Sequence, residues 1–428
     1  MIWGTLGAVL GATVLTGAVL GAALGLTGFV LLHVFANGAT ALGVQAVWNV
    51  FNQFTLTAIP LFILLGEILV ASGLASGVYR GLAPLFMRVK GGLLHTNIVV
   101  CALFGAVSGS SLSVAAAVGS VAYPELTRRG YRRTAVLGSL AGGGTLGLLI
   151  PPSLSLLIFG ALTETSIGQL FLAGVVPGLL AAALFMAFIA FAAWRNPAIA
   201  PRDEPPPWGE TLAALSSVWP IVVLIAAVLG SLFAGLATPT ESAAVGAAAA
   251  AVLGFTRGDL TLKKLIGAVH SATVTFAVIA LVFMGAVILA QAISLLQLPQ
   301  MLLEEIAALG IPPSAALLVV VCLYLLLGLF FDGLSMMIMT LPIVFPLLVG
   351  VGYDPVWIGV MVTLMIEVGM LTPPVGMNLF VLVGITRQEA TVADAARGAF
   401  PYWLMLLATL IAITLIPALA TGLPALLR

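Results

Sequence analysis

Charge is what this sequence has least of. Of its 428 residues, 7% are Asp, Glu, Lys or Arg, while 62% are hydrophobic. A soluble globular domain carries about 25% charged residues. No soluble interior could hide this much apolar surface, so lipid must solvate much of it. The formal net charge is zero, which argues against a basic nucleic-acid surface. Cysteine is almost missing: Cys101 and Cys322 both fall inside apolar runs. Two isolated thiols argue against a disulfide framework or a metal site and read as small buried side chains. His33, His95 and His270 are scattered without ligand spacing. No G-x-x-x-x-G-K-[ST] run exists, so no P-loop ATP site is encoded.

The N-terminal part is the most extreme. No acid precedes Glu67 and no Lys or Arg precedes Arg80. A cleaved leader would carry a basic n-region and a short apolar core. This stretch has no such base and runs on further, so it reads as the first spans of the mature protein.

What is present is a series of apolar runs. They fall near 3–20, 21–36, 51–72, 94–125, 134–160, 168–193, 213–233, 239–255, 267–291, 313–348, 355–386 and 399–420. A membrane span needs roughly 20 apolar residues. The runs 94–125 and 313–348 are too long for one span and too short for two. Each is interrupted near its middle, by Ser108-Gly109-Ser110-Ser111 and by Asp332-Gly333-Leu334-Ser335. A re-entrant helical hairpin fits that length, with its tip shielded by protein or water.

The basic residues support this reading. They cluster at 80–90, 128–133, 195–202, 257–264 and 387–397. Cytoplasmic loops collect Lys and Arg. If 94–125 crossed the membrane, its two basic flanks would lie on opposite faces. As a hairpin, it leaves both cytoplasmic. The flanks of 313–348, namely 292–312 and 349–355, contain no Lys or Arg, which suits a hairpin from the opposite face. With both hairpins, every Lys and Arg except Arg428 lies in a cytoplasmic loop. This gives about ten crossings, with both termini periplasmic.

The chain also repeats. A shift of 222 positions lays Pro124 on Pro346, Gly130 on Gly352, Tyr131 on Tyr353, Gly147 on Gly369, Pro151 on Pro373 and Pro152 on Pro374. The same shift lays Ser110 on Asp332. The sequence therefore divides into a first inverted repeat at 1–195, a proline-rich linker at 196–210 and a second repeat at 211–428. Opposed repeats of this kind build many secondary transporters.

A span interrupted by proline follows each hairpin: Gly147 to Ser153 in the first half, Gly369 to Asn378 in the second. Proline removes an amide donor and clashes with the preceding turn, so carbonyls lose their helical partners. Free carbonyls suit a hard cation, which prefers oxygen ligands. Broken half-helices add dipoles. The expectation is two cation sites, each formed by a hairpin tip facing a broken helix.

Six segments in order carry a family resemblance. They are Ile59 to Glu67, Ser108 to Ser111, Gly130-Tyr131, Leu149 to Ser153, Ala237-Thr238-Pro239-Thr240-Glu241, and Thr372-Pro373-Pro374-Val375-Gly376-Met377-Asn378. Over nearly its whole length the chain resembles the large membrane subunit of tripartite ATP-independent periplasmic (TRAP) transporters, the DctM type. The resemblance implies an all-α, inverted-repeat elevator transporter of the bacterial inner membrane. It would take up a small organic carboxylate with co-transported sodium ions and no organic cofactor. A periplasmic binding protein and a small membrane subunit of about four spans would be its partners. The first sodium would be held by Ser108, Ser111, Gly147, Ile150 and Pro152. The second would be held by Gly333, Gly369, Thr372 and Val375, mostly through backbone oxygens. The substrate would lie near Ser110, Ser335 and Asn378.

Asp332 has two readings: a carboxylate for coupling, or a cap on the helix starting at Gly333. Glu67 and Glu367 read as packing or hydrogen bonding to neighbouring helices. Arg128, Arg129, Arg132 and Arg133 read as snorkelling to headgroups. Met336, Met337 and Met339 read as hairpin packing. The segments 75–90 and 296–308 read as interfacial arms of a fixed scaffold.

Three other readings compete. Divalent-anion/sodium symporters of similar architecture carry Ser-Asn-Thr signatures at their tips, unlike these. An intramembrane protease would need a histidine within reach of Ser110, or a second carboxylate beside Asp332. A channel would not need an inverted repeat with tips opposing two broken helices.

Overall fold

The computed structural model describes residues 1–201, 204–373, 376–386 and 389–426. Among the described residues the chain is helical throughout and contains no strand. The first half opens with α1 (Ile2–Leu15), α2 (Leu20–Phe35), α3 (Thr40–Phe51), α4 (Ala58–Ala71) and α5 (Leu74–Phe86). It continues with α6 (Leu93–Ser108), α7 (Ser111–Arg128), α8 (Arg133–Leu149), α9 (Leu154–Thr163) and α10 (Ile167–Arg195). The second half holds α11 (Trp208–Leu215), α12 (Trp219–Phe233), α13 (Pro239–Thr256), α14 (Leu262–Leu295) and α15 (Leu298–Ala308). It ends with α16 (Pro313–Leu327), α17 (Gly333–Gly350), α18 (Pro355–Leu371), α19 (Met377–Ile385), α20 (Val392–Leu415) and α21 (Ala418–Leu426).

From α4 to α10 and from α14 to α20 the same elements recur in the same order. In each series a helix is followed by a short arm, a two-helix hairpin, a broken helix pair and a long closing helix. The central members match in length. Helices α7 and α17 each have 18 residues, and α8 and α18 each have 17. Proline and polar tips set these boundaries, because both act locally on the backbone.

Seven helices among the described residues are long and apolar enough to cross a membrane, and several shorter apolar helices accompany them. Apolar side chains such as Trp48, Leu236, Val319 and Phe330 point outward and are largely exposed. That is the surface expected of a chain solvated by lipid.

Two boundaries depart from the apolar runs. Helix α3 lies before the run at 51–72, because Thr40, Gln45 and Asn49 dilute its hydropathy without breaking its turns. The run at 399–420 splits at Ile416 into α20 and α21. Pro417 disfavours helical geometry in the residue before it, and Ile416 leaves the helical region.

Glycine builds the helix contacts. Gly21, Gly25 and Gly28 on α2 lie against Leu281, Gly285 and Leu289 on α14. Gly138 on α8 meets Gly398 on α20, and Gly142 meets the ring of Tyr402. Apolar side chains gain little by leaving lipid for one another, so close backbone approach at small residues supplies the packing energy. These contacts join elements of opposite halves. The halves interleave rather than sit side by side.

The motif Thr238-Pro239-Thr240-Glu241 is a helix start. Thr238 caps α13, Pro239 occupies its first turn, and Glu241 completes a capping box by accepting from the Thr238 amide at 2.8 Å. The proline-rich segment before α11 is clipped in place. The Arg88 guanidinium lies 3.9 Å from the Trp208 ring centroid and donates to the Pro206 carbonyl at 2.5 Å.

Candidate functional site

The first hairpin turns at Gly109, whose φ of 61° lies in the left-handed region that glycine adopts without strain. Ser110 then caps α7, its hydroxyl accepting from the Ser113 amide at 3.4 Å. Facing this tip, α8 stops at Leu149 and α9 starts at Leu154, with Ser153 as its cap. The Leu148 carbonyl, freed by the proline pair, accepts from the hydroxyls of Ser153 and Ser155, the latter at 2.9 Å. Ser155 in turn meets Thr363 of α18 at 3.3 Å.

Tip and break touch. A methyl group placed on Gly147 would lie 3.0 Å from Val114 Cγ2, 3.2 Å from Gly105 Cα and 3.5 Å from the Ser110 carbonyl oxygen. The structure thus brings Ser110 and Gly147 together at the tip flanked by Ser108 and Ser111. Ile150 turns its side chain toward Gly178 of α10. Pro152 is buried at the break. The outer side of the tip rests on α4: a methyl on Gly66 would lie 3.1 Å from the Ser108 carbonyl oxygen.

The second pair is built similarly. Asp332 caps α17, one carboxylate oxygen accepting from the Ser335 amide at 3.1 Å. Of its two sequence readings, the cap is the one visible here. Gly369 lies against Gly328, its added methyl 3.0 Å from that Cα and 3.2 Å from the Tyr324 carbonyl oxygen. Gly333 is closed in by Ile366, by Met370 and, at 3.5 Å, by Leu148 at the end of α8. The second tip therefore lies between the two broken helices. At the second break, Thr372 donates to the Val368 carbonyl at 2.8 Å and accepts from the Trp403 indole at 3.0 Å. Val375 lies outside the described residues.

Asn378 bridges the halves. Its amide nitrogen donates to the Ser111 hydroxyl at 2.6 Å, and both residues are buried. Ser335, grouped with Asn378 and Ser110 by the sequence reading, engages Asp332 through its backbone amide instead. Among the described residues, the Ser108 hydroxyl and the Asn378 carbonyl oxygen are buried and accept no hydrogen bond.

Sequence reasoning missed Trp403, Gly105 and Gly328. Each acts through a contact between distant segments, and no local pattern marks it.

Other expectations change. Cys101 is buried, but Cys322 lies on the exposed face of α16. Of the two readings for Glu367, packing is the one visible: it is fully buried, and neither carboxylate oxygen has a hydrogen-bond partner among the described residues. Arg128 and Arg129 both hold Glu125 at 2.7 Å. Arg133, at the start of α8, reaches Glu389 in the segment before α20 at 3.7 Å. Met336 and Met337 are buried.

The geometry also separates the protease pair. His95 lies in the first turn of α6 and Ser110 follows its far end; at about 1.5 Å per residue the helix between them parts them by roughly 20 Å. His95 is held instead at the Lys90 carbonyl, 2.9 Å away. Among the described residues, no group of three or more His, Cys, Asp or Glu could hold a metal ion.

Two hairpin tips set against two helices broken at proline pairs therefore form the centre of this molecule. The profile of the family described as "Tripartite ATP-independent periplasmic transporter, DctM component" matches residues 8–419. The chain belongs to the DctM family of TRAP transporter large permeases. The Pseudomonas aeruginosa protein named C4-dicarboxylate TRAP transporter large permease protein DctM is 33% identical over 404 residues, 94% of this chain and 93% of that protein. The Vibrio cholerae sialic acid TRAP transporter large permease protein SiaM is 32% identical, covering 89% and 88%. The Ruegeria pomeroyi ectoine/5-hydroxyectoine large permease protein UehC is 29% identical, covering 88% and 87%. Among solved structures, the Alcanivorax borkumensis YdaH transporter superposes with a TM-score of 0.64 at 16% identity, covering 91% of this chain and 90% of that one. That similarity is one of fold. DctM-family membership sets this chain among membrane permeases whose named cargoes differ from relative to relative.

Proposed function

We propose that this DctM-family chain carries a small organic carboxylate across the bacterial inner membrane, driven by sodium. The observation that carries the reading is the doubled pairing of a hairpin tip with a broken helix, locked at Gly147 in one half and Gly369 in the other. Each pairing gathers backbone carbonyls and short hydroxyls, the oxygen ligands a hard monovalent cation prefers. Ser108, Ser111, Gly147, Ile150 and Pro152 would hold one sodium. Gly333, Gly369, Thr372 and Val375 would hold the other, with Asp332 ordering the second tip as its cap. Substrate would enter between the tips near Ser110 and Ser335.

The carboxylate reading is supported by the cargoes in the names of several relatives, C4-dicarboxylates, sialic acid and ectoine, which all bear a carboxylate. Another relative is named for isethionate, a sulfonate, so what these cargoes share is a small organic molecule bearing an acidic group. A periplasmic binding protein would deliver it, and a small membrane subunit would brace the scaffold. Helices α4, α13 and α14, together with the arms α5 and α15, would form that scaffold. The hairpins and broken helices would move against it as one elevator body between re-entrant positions.

Thermal unfolding in sodium and in choline at equal ionic strength tests the coupling ion. A ligand bound only by the folded state stabilises it by about 2.7 kcal/mol at a hundredfold excess over Kd. A sodium-specific rise in Tm, abolished when Gly147→Ile and Gly369→Ile are combined, is the expected outcome. Identical Tm values in the two salts, with the small subunit present, would sink sodium coupling.

A further inference from the structure

The arginines that follow the first hairpin do different work. Arg128 and Arg129 hold Glu125, and Arg133 reaches Glu389. Arg132 is exposed and makes no ion pair among the described residues. Arg397 on α20 is likewise exposed and makes none. Asp394 stands one turn before it, but that carboxylate is taken by Thr391, whose amide and hydroxyl donate to it at 3.1 and 2.7 Å. Two cations against one engaged acid leave this corner of the molecule positive.

Packing brings the two arginines to one place. The backbone of Gly398 lies against the Thr134 carbonyl and Gly138. Its neighbour Arg397 is thereby set beside the first turn of α8, whose N-cap is Arg132. Both arginines line a single groove of about 130 Å³ bounded by α8, α10 and α20. Most of the remaining lining is apolar, with Leu94, Ile189, Pro401 and Tyr402 among it. The Tyr402 ring is fixed edge-on by Phe185 and Phe188, with centroids 5.2 and 5.5 Å away. Helix α8 starts here without a side-chain cap, and Thr134 and Ala135 of its first turn face the groove. The positive end of that helix adds to the two guanidinium groups.

The occupant follows from where the groove lies. It runs along the last turns of α10, where Phe191 and Trp194 are 53% and 64% exposed, and beside Phe400 of α20, 54% exposed. Outward aromatic side chains mark the headgroup level of a bilayer. The basic clusters at 128–133 and 387–397 belong on the cytoplasmic side by the positive-inside rule. Basic pockets between spans on that side take anionic headgroups. A soluble anion would satisfy the arginines and leave the apolar lining without a partner, whereas a phospholipid satisfies both.

We propose that this groove is a site for one anionic phospholipid of the cytoplasmic leaflet. Its phosphate is held by Arg132 and Arg397, and the upper part of an acyl chain lies against Ile189, Pro401 and Tyr402. The lipid fastens the start of α8 to α10 and α20, the closing helices of the two halves. The inference requires a membrane protein and is independent of sodium and of cargo.

The test is thermal unfolding of the full-length protein in detergent, with phosphatidylglycerol, phosphatidylcholine or inorganic phosphate added. Phosphatidylglycerol should raise the wild-type Tm by several degrees and saturate, as a ligand of the folded state does. Phosphatidylcholine and inorganic phosphate should leave it in place. The double variant R132Q/R397Q should lose the rise. The control R257Q/K263Q, which removes two exposed cations from another basic cluster, should keep it. Equal Tm values in the two lipids overturn the proposal, and so does a rise that survives in R132Q/R397Q. Equal loss in both double variants shows diffuse charge rather than a site and overturns it too. A rise of the same size with inorganic phosphate assigns the arginines to a soluble anion and overturns the lipid. If R132Q/R397Q does not fold, Ala192→Phe decides, because it fills the apolar part and keeps both arginines: an unchanged phosphatidylglycerol rise overturns the proposal.

Discussion

The two hairpins are built on one plan and live in different surroundings. Nearly every residue of α6 is buried, from Leu93 to Ser108. Its partner in the second half, α16, buries only Ala316, Leu317, Val320 and Tyr324, and Phe330 at the following tip is 67% exposed. The first tip is pressed against Gly66 of α4 and Leu154 of α9. The caps do not follow that difference: neutral Ser110 and the carboxylate Asp332 are both half-buried. The chain's repeat sets where helices begin and end, while what packs around the arms differs between the halves.

The largest expected effect comes from exchanging the caps. Ser110→Asp puts a charge at a half-buried position between the buried Ser108 and Ser111 and should destabilise by up to about 3 kcal/mol, the scale for a carboxylate at the centre of a membrane helix. Asp332→Ser keeps a capping oxygen and should change stability by only a few tenths of a kcal/mol. Thermal unfolding of both variants measures the contrast, and equal losses would break it. Next come the glycines that seat each tip. Gly105→Ala drives a methyl against Gly147, 2.5 Å from its Cα, and should cost about 2 kcal/mol. Gly328→Ala drives one against Gly369 and should cost less, because α16 has an open side toward which to shift. A smaller effect is expected for Trp403→Phe, which leaves Thr372 without its indole donor and should cost about 1 kcal/mol. Under the two-site reading it should also raise the sodium midpoint. Asp332→Ala completes the series with loss of a cap, about 1 kcal/mol, without the charge penalty of S110D.

Much of this architecture is legible in the sequence because its signals are local. A Ser-Gly-Ser-Ser run inside apolar residues marks a turn with a cap. A Pro-Pro pair marks a break. Helix α3 escapes the hydropathy runs because its polar residues dilute the average, though they leave its turns intact. The contacts that matter most at the site are legible in no local pattern. Asn378 meets Ser111, Trp403 meets Thr372, and Gly105 meets Gly147 only once the helices are packed in register. Glycine in a membrane helix announces a close approach, but not the helix that approaches. The capping role of Asp332 could be read as one of two options, since Asp before a helical run has that geometry wherever it occurs.

The interleaving of the halves bears on how the protein is made. The glycine face of α2 is complete once Gly28 has entered the membrane, but its partner Gly285 on α14 is synthesised much later. At about 5–20 residues per second the gap is roughly ten to fifty seconds. Through that interval the Gly21, Gly25 and Gly28 stripe lacks its α14 partner, and the Gly138 face of α8 waits in the same way for Gly398. The nascent first half thus carries glycine faces without their partner helices until α14 and α20 arrive.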